Sequence, residues 1–448
     1  MSSFTVTTRS LGEAITLHHV ATERFKTARL TFLTVRPADE VESPLATLHY
    51  GIMRRGSEKY PRLSLLNHRL DELYGSMLTI RNSIYGDQHV VSFILEIMED
   101  DYRLPHDTET DILDGVMELL SDMFLHTLTD GEGVLRAEAV EAEKQTLTDS
   151  LRATVNDPRT YAAERFRRIM CPDEPYGISI GGTPESVAAI TPHDVTSHRE
   201  RTLASTRCAV FYVGKTPIDR VSDLLEKHFG AWKPTFLPAT KTLPHPVPAE
   251  PRYVEESRPV SQGKLCIGWS CGENEATVDL ATLSAMQVCN ELFGVMPTSL
   301  LFRHVREELG LCYYCESALD MTKGILWVSS GIRSDRREEA EAAIRACLAR
   351  MQAGEIDPAD VEGAKTSLME SYRQMEDSQG AMSAFLVRRM MGSIGEEIPN
   401  TQTPEEKMVA IAAVTPTDVA AAARRFSLDT VYFLRGTAAS EEDEDGNE

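Results

Sequence analysis

The chain has 448 residues, 42% hydrophobic and 26% charged, with a formal net charge of −23 at pH 7. That length exceeds one ordinary domain and supplies apolar material for two cores. The negative charge argues against nucleic acid and anionic membranes as partners. No run of eighteen apolar residues occurs, and Met1-Ser2-Ser3-Phe4-Thr5 lacks a basic and then apolar leader, so a cytoplasmic protein is expected.

In chain order, Ser64 is placed to cap a helix whose stripe is Leu66, Leu70 and Leu73, stopped by Gly75. Two strands, Met77 to Tyr85 and His89 to Met98, are joined at Gly86-Asp87. A helix follows with Ile112, Val116, Leu119 and Met123 on one face, then a helical stretch containing Glu141 to Arg152 and a strand from Ala209 to Val213. Residues 234–254, with Pro234, Pro238, Pro244, Pro246, Pro248 and Pro251, read as an extended linker.

The second half repeats the theme. A strand, Lys264 to Trp269, precedes helices from Asp279 to Leu292 and from Pro297 to Leu309. Leu311 opens a strand that Thr322-Lys323-Gly324 turns back into Ile325 to Ser330. Helices at Arg336 to Gln352 and Pro358 to Met375, the latter with Val361, Ala364, Leu368 and Met375 inward, lead to a strand at Thr430 to Arg435.

This order predicts an α+β fold of two homologous halves, each an antiparallel-rich sheet with helices packed on one face, arranged as a clamshell. The domains expected are 1–233 and 255–437, followed by an acidic tail over 438–448 that reads as disordered. The eight cysteines are scattered, and reduced thiols are expected. Cys312 and Cys315 have C-x-x-C spacing, but a regular strand sends residues three apart to opposite faces, so ordinary strand cysteines are expected there.

Arg306 closes the helix before Gly310, and Tyr313 stands seven residues on, in the next strand. A guanidinium and a phenol beside one tight turn can bind a peptide carbonyl and stabilise an oxyanion without ionising. No G-x-S-x-G, Walker A or G-x-G-x-x-G accompanies them, and none of the twelve histidines falls in an H-x-x-E-H, H-x-x-x-H or H-E-x-x-H arrangement.

Ser299, Leu301, Phe302, Arg306, Glu307, Gly310, Leu311 and Tyr313 resemble the S-R-L-F-x-x-x-R-E-x-x-G-L-x-Y motif of the pitrilysin/insulinase/mitochondrial processing peptidase family, with Leu300 in place of the first arginine. Gly177 to Val187, Thr191 to Val195, Val213-Gly214, Asp357 to Lys365 and Val414 to Val419 agree in order, so the resemblance covers residues 10 to 436. In that family an H-x-x-E-H helix in the first half holds zinc and its glutamate activates water. Aligned on Arg55-Gly56-Ser57, those positions are Thr47, Leu48, His49, Tyr50 and Gly51, so both zinc histidines and the base glutamate are missing. His49 falls at a position that is no ligand, and Glu143 is the match to the third ligand.

The resemblance, including Leu70 to Gly75, implies a degenerate, non-zinc bacterial member of the YfmF type. It implies that Arg306 and Tyr313 bind substrate, and that the chain has no cofactor of its own. Zinc is expected on a partner subunit bearing H-x-x-E-H, and the substrate is expected to be an unfolded peptide. A stand-alone peptide-binding or scaffold protein is the alternative.

Overall fold

The structure, a computed structural model, describes residues 4–13, 15–238, 240–395 and 401–437, so the expected acidic tail lies outside the described residues. In the first half of the chain the strands are β1 (Val6–Leu11), β2 (Ile15–Ala21), β3 (Thr27–Pro37), β4 (Met77–Tyr85), β5 (Gln88–Met98) and β6 (Arg207–Gly214). The second half supplies β7 (Arg252–Arg258), β8 (Gly263–Ser270), β9 (Cys312–Asp320), β10 (Ile325–Ile332) and β11 (Ser427–Gly436). The helices that matter below are α1 (Glu42–Met53), α2 (Leu63–Glu72), α3 (Ile112–Leu125), α4 (Ala137–Thr154), α5 (Pro158–Met170), then, past residue 200, α6 (Ile218–Phe229), α7 (Leu280–Asn290), α8 (Arg337–Ala353), α9 (Pro358–Gln374) and α10 (Gln379–Met391).

The strands form two sheets, ordered β1-β2-β6-β3-β5-β4 and β7-β11-β8-β10-β9. Within the first, β2 and β6 run parallel and the other neighbours antiparallel; within the second, β7 and β11 run parallel and the others antiparallel. The two orders coincide once β1 is set aside, so the expected duplication exists at the level of topology.

The β4–β5 hairpin forms where alternation and Gly86-Asp87 placed it, with Tyr85 opposite Gln88. Ser64 is not the cap of α2: that position is Arg62, which makes no side-chain cap bond. Serine two residues into the helix cannot reach the N2 or N3 amide groups that a cap must satisfy. The stretch Pro297 to Leu309 is helical, but Leu301–Glu308 is wound as a π-helix. Its exit bonds run from Leu309 N–H to His304 O and from Leu311 N–H to Val305 O.

Each sheet buries one face under its own half's helices. In the first unit, Leu30, Phe32, Phe93, Leu95, Val210 and Tyr212 meet Val116, Leu119, Leu120 and Phe124 of α3 and Leu224 of α6. In the second, Leu265, Ile267, Val431 and Phe433 meet α7 through Met286 and Cys289, α8 through Ile344 and Leu348, and α9 through Val361 and Ala364. The opposite face of each sheet carries one helix from the other half of the sequence. Helix α10 lies on β3 and β6, where Ser383 and Thr31 are hydrogen-bonded at 3.1 Å. Helix α5 lies on β8 and β11, burying Phe166 and Met170 against Cys266, Tyr432 and Leu434.

The compact units therefore do not follow the halves of the sequence. One joins residues 1–152, 178–241 and 375–399; the other joins 153–177, 242–374 and 400–448. Physically, a strand buried on both faces, as β8 is along its whole length, needs a second cover that its own helix layer cannot give. The proline-rich stretch also ends earlier than expected, because β7 starts at Arg252 and pairs with β11.

Candidate functional site

Within the first unit, α1 and α4 bring together the positions that match the family's metal motif. Glu143 on α4 faces Gly51 on α1 so closely that a Cβ on Gly51 would lie 2.5 Å from Glu143 Oε2. Gly51 and Glu143, each aligned with a ligand position, are thus neighbours in the structure. Zinc chemistry does not fit it. Arg55 donates through Nε to Glu143 Oε1, so a guanidinium already balances that carboxylate.

The remaining positions are also committed elsewhere. Thr47 Oγ1 donates to Ser43 O at 3.0 Å and accepts from Asn82 at 2.7 Å. The Tyr50 hydroxyl is buried and hydrogen-bonded to Thr34 at 3.0 Å. Burial raises its pKa to about 12, leaving a neutral phenol where the family has its basic carboxylate. One carboxylate paired to arginine, with no further metal-ligating side chains grouped with it among the described residues, cannot assemble the three protein ligands that a catalytic zinc needs.

His49 is buried inside α1's packing, and neither ring nitrogen has a hydrogen-bond partner among the described residues. Burial drives its pKa well below the ordinary histidine value, so the ring stays neutral. It stacks edge-on to His198 with centroids 5.6 Å apart. His49 thus behaves as a core side chain, in keeping with its place outside the ligand pattern.

In the second unit, Arg306 and Tyr313 lie on either side of the turn at Gly310, whose φ of 57° is a left-handed conformation suited to glycine at a helix end. Arg306 is on the last turn of the π-helix, 43% exposed, with its guanidinium 4.8 Å from the Phe302 ring centroid and 3.6 Å from Glu307. Tyr313 is 75% exposed, and its hydroxyl has no hydrogen-bond partner among the described residues. A tyrosine in a strand normally buries its ring or pairs its hydroxyl; this one does neither. The cause is local: pairing between β9 and β10 shifts at Gly331/Ile332, so Tyr313 is the unpaired residue of a β-bulge.

Sequence reasoning missed a buried polar cluster in the second unit. His245, from the proline-rich stretch, is 4% exposed. Its Nε2 is 3.0 Å from Asp429 Oδ2, and its Nδ1 faces Glu174 Oε1 and, at 3.6 Å, Cys171 Sγ. Cys171, Glu174 and His245 put three donor atoms within 4.8 Å of one another, a spacing that could hold a metal ion. The charges argue otherwise. Lys323, buried, places Nζ 2.6 Å from Glu174 Oε2. Burial opposes the imidazolium, but hydrogen bonds to Asp429, Cys171 and Glu174 outweigh it and raise the His245 pKa to about 11. A protonated imidazole has no lone pair for a metal. Two cations and two carboxylates close this cluster on itself.

Comparison with known proteins places these observations. Residues 189–368 match the family model described as the peptidase M16 inactive domain. The chain is 28% identical over 429 residues, 96% of its own length and 97% of the relative's, to a protein of Bacillus subtilis named probable inactive metalloprotease YmfF. It is 26% identical over 289 residues, 61% of each chain, to an uncharacterised zinc protease of Mycobacterium leprae. Among solved structures, a conserved protein from Enterococcus faecalis superposes with a TM-score of 0.86 at 25% identity, covering 97% of this chain and 100% of that one. The order of motifs, the duplicated sheet and these matches agree in one likeness: the chain is similar to the M16 peptidases, and the positions that align with their zinc ligands hold other residues.

Proposed function

We propose that this chain is the non-catalytic subunit of a zinc peptidase of the insulinase/processing-peptidase type. A second subunit carrying H-x-x-E-H supplies metal, water and base. This chain supplies Arg306 and Tyr313, which bind the backbone of an unfolded peptide and donate to the oxyanion at the scissile carbonyl. The observation that carries the reading is the Tyr313 hydroxyl, unpartnered among the described residues and held in solvent by a bulge that follows the Gly310 turn after Arg306. It is joined by the redirected chemistry at Glu143, where Arg55 stands in for a cation.

The test has two stages. Purification of the chain from its native cell should bring down an H-x-x-E-H protein of similar size. In that complex Tyr313→Phe should lower kcat about 100-fold or more while KM holds, the loss typical of one oxyanion donor. Arg306→Ala should act mainly on KM. No co-purifying subunit, with chelator-sensitive hydrolysis by the isolated chain, would end the proposal.

A stand-alone peptide-binding protein is the second reading, favoured by the place of β9 at the end of its sheet, where an extended peptide could pair as an added strand. Peptide binding by the isolated chain that is indifferent to Tyr313→Phe, with no partner recovered, would select it.

A further inference from the structure

The bulge at Tyr313 has a second effect, on the cysteines that flank it. From Ser317 back to Tyr314, β9 alternates regularly: Ser317 and Cys315 are buried, while Glu316 is exposed and Tyr314 lies under Arg159 on the α5 side, 4.5 Å from its guanidinium. Regular continuation would send Cys312 to the α5 side as well. The extra residue shifts the phase instead, so that Cys312 pairs with Ile332 and Cys315 with Ser330, two residues apart on β10. Both cysteines then stand on the core face, Cys315 inside the apolar cluster and Cys312 packed against its rim. The opposite-face expectation for this C-x-x-C pair fails because it assumed an unbroken strand.

We propose that Cys312 and Cys315 form a reversible disulfide by exchange with small-molecule disulfides, closing across the bulge that carries Tyr313. Cys312 is the attacking thiol, being the more accessible of the two. Its thiolate attacks one sulfur of the small disulfide, forming a mixed disulfide and expelling one thiolate. The Cys315 thiol loses its proton, attacks the Cys312 sulfur and expels the second. The protein's two thiols are oxidised, one small-molecule disulfide is reduced to two thiols, and the protons follow the leaving groups.

The surroundings suit these roles. The neighbouring Cys315 thiol lowers the Cys312 pKa against burial, assisted by Ser330 and the charge of Arg306. Cys315 is raised, first by Cys312 and then by burial. Burial pushes Cys266 and Cys289 up to about 12 and Cys347 to about 11, which keeps those thiols inert. A disulfide needs its sulfurs at about 2.05 Å, so closure must draw Cys312 and Cys315 together and change the pucker that holds Tyr313 outward. This chemistry needs no partner subunit and stands apart from the peptide-binding reading.

The full chain is equilibrated with glutathione and its disulfide over a range of ratios, alkylated, unfolded and mapped by mass spectrometry. Cys312 and Cys315 should lose both alkyl groups together, their shared peptide becoming lighter by two hydrogens relative to the unmodified form. Cys315→Ser should instead accumulate a mixed disulfide at Cys312, and nitration of Tyr313 should differ several-fold in rate between the reduced and oxidised parent chain. Full alkylation of both thiols at the most oxidising ratio would overturn the site, as would a Cys315–Cys347 linkage. Capture of glutathione at Cys315 in Cys312→Ser as fast as at Cys312 in Cys315→Ser would overturn the assigned order. Equal nitration rates would overturn the coupling to Tyr313, whether or not that residue binds peptide.

Discussion

Gly51 shows how the space beside one aligned motif position is filled. The position has no side chain, and the space a Cβ would take is occupied by the carboxylate of Glu143, drawn there by Arg55. Glycine inside a helix costs about 1 kcal/mol relative to alanine, so Gly51→Ala should stabilise α1. Against the native Glu143, however, the added methyl must push Oε2 away and disturb the ion pair. The two effects should nearly cancel in Gly51→Ala alone. In a Glu143→Ala background the same change should gain about 1 kcal/mol by urea unfolding. A large loss in both backgrounds would contradict the packing described. The alignment of Thr47 to Gly51 could be read from the sequence by counting back from Gly56, and α1 carries all five positions. Arg55 as the counter-charge was not legible, since nothing in the pattern says that α4 delivers Glu143 to it.

At the scale of elements, the most informative segments are those where the chain departs from regular geometry. The hairpin of β4 and β5 follows from alternation and a turn sequence, so residues alone placed it. The bulge in β9 leaves no such mark; only the ladder with β10 reveals that Tyr313 is unpaired and that Cys312 shares a face with Cys315. The proline-rich stretch is a second case. Its composition suggests a free connector, yet His245 is locked between Asp429 at the start of β11 and Glu174 beyond the end of α5, while Lys323 donates to Leu243 O at 2.6 Å. Removing one member of a buried charged group leaves its partners uncompensated and costs about 3–5 kcal/mol, so His245→Ala should lower the unfolding free energy by that order.

The sign of the pH dependence follows from the direction of the shift. The folded pKa of His245 is raised above the unfolded value of 6.5 to about 11. Its contribution is therefore complete below pH 6.5, shrinks as pH rises and is gone once pH passes about 11. Chemical denaturation from pH 7 to 10 should show a falling stability in the parent chain and a flatter one in His245→Ala. Parallel curves would remove His245 from the account.

For the whole molecule, the duplication visible in the order of elements is real, but the units it produces borrow from each other's sequence. Helices α5 and α10 look like ordinary amphipathic segments, and no periodicity says which sheet they cover. In the first unit, α10 inserts Met382, Phe385 and Leu386, all buried. A chain truncated after Lys241 would lack that cover and expose the α10-facing side of β3 and β6, including Phe211 and Leu33, both buried in the intact chain. Such a chain should aggregate or bind a hydrophobic dye, and adding residues 375–395 as a separate peptide should reduce both effects. A monomeric, dye-silent fragment would show that the first sheet needs no such helix. The same absence of membrane-crossing helices expected from composition holds among the described residues.

That borrowing also bears on how the protein is born. Domains commonly fold in order as they leave the ribosome, at about 5–20 residues per second. Here the first sheet is complete in sequence by Gly214, yet its last covering helix ends at Met391. At that rate of synthesis the uncovered sheet must wait on the order of 10–30 s for its helix to emerge. Nascent chains of this protein therefore pass through a long interval in which an apolar sheet face is unprotected, and ribosome-associated chaperones should hold them longer than chains whose units are contiguous in sequence.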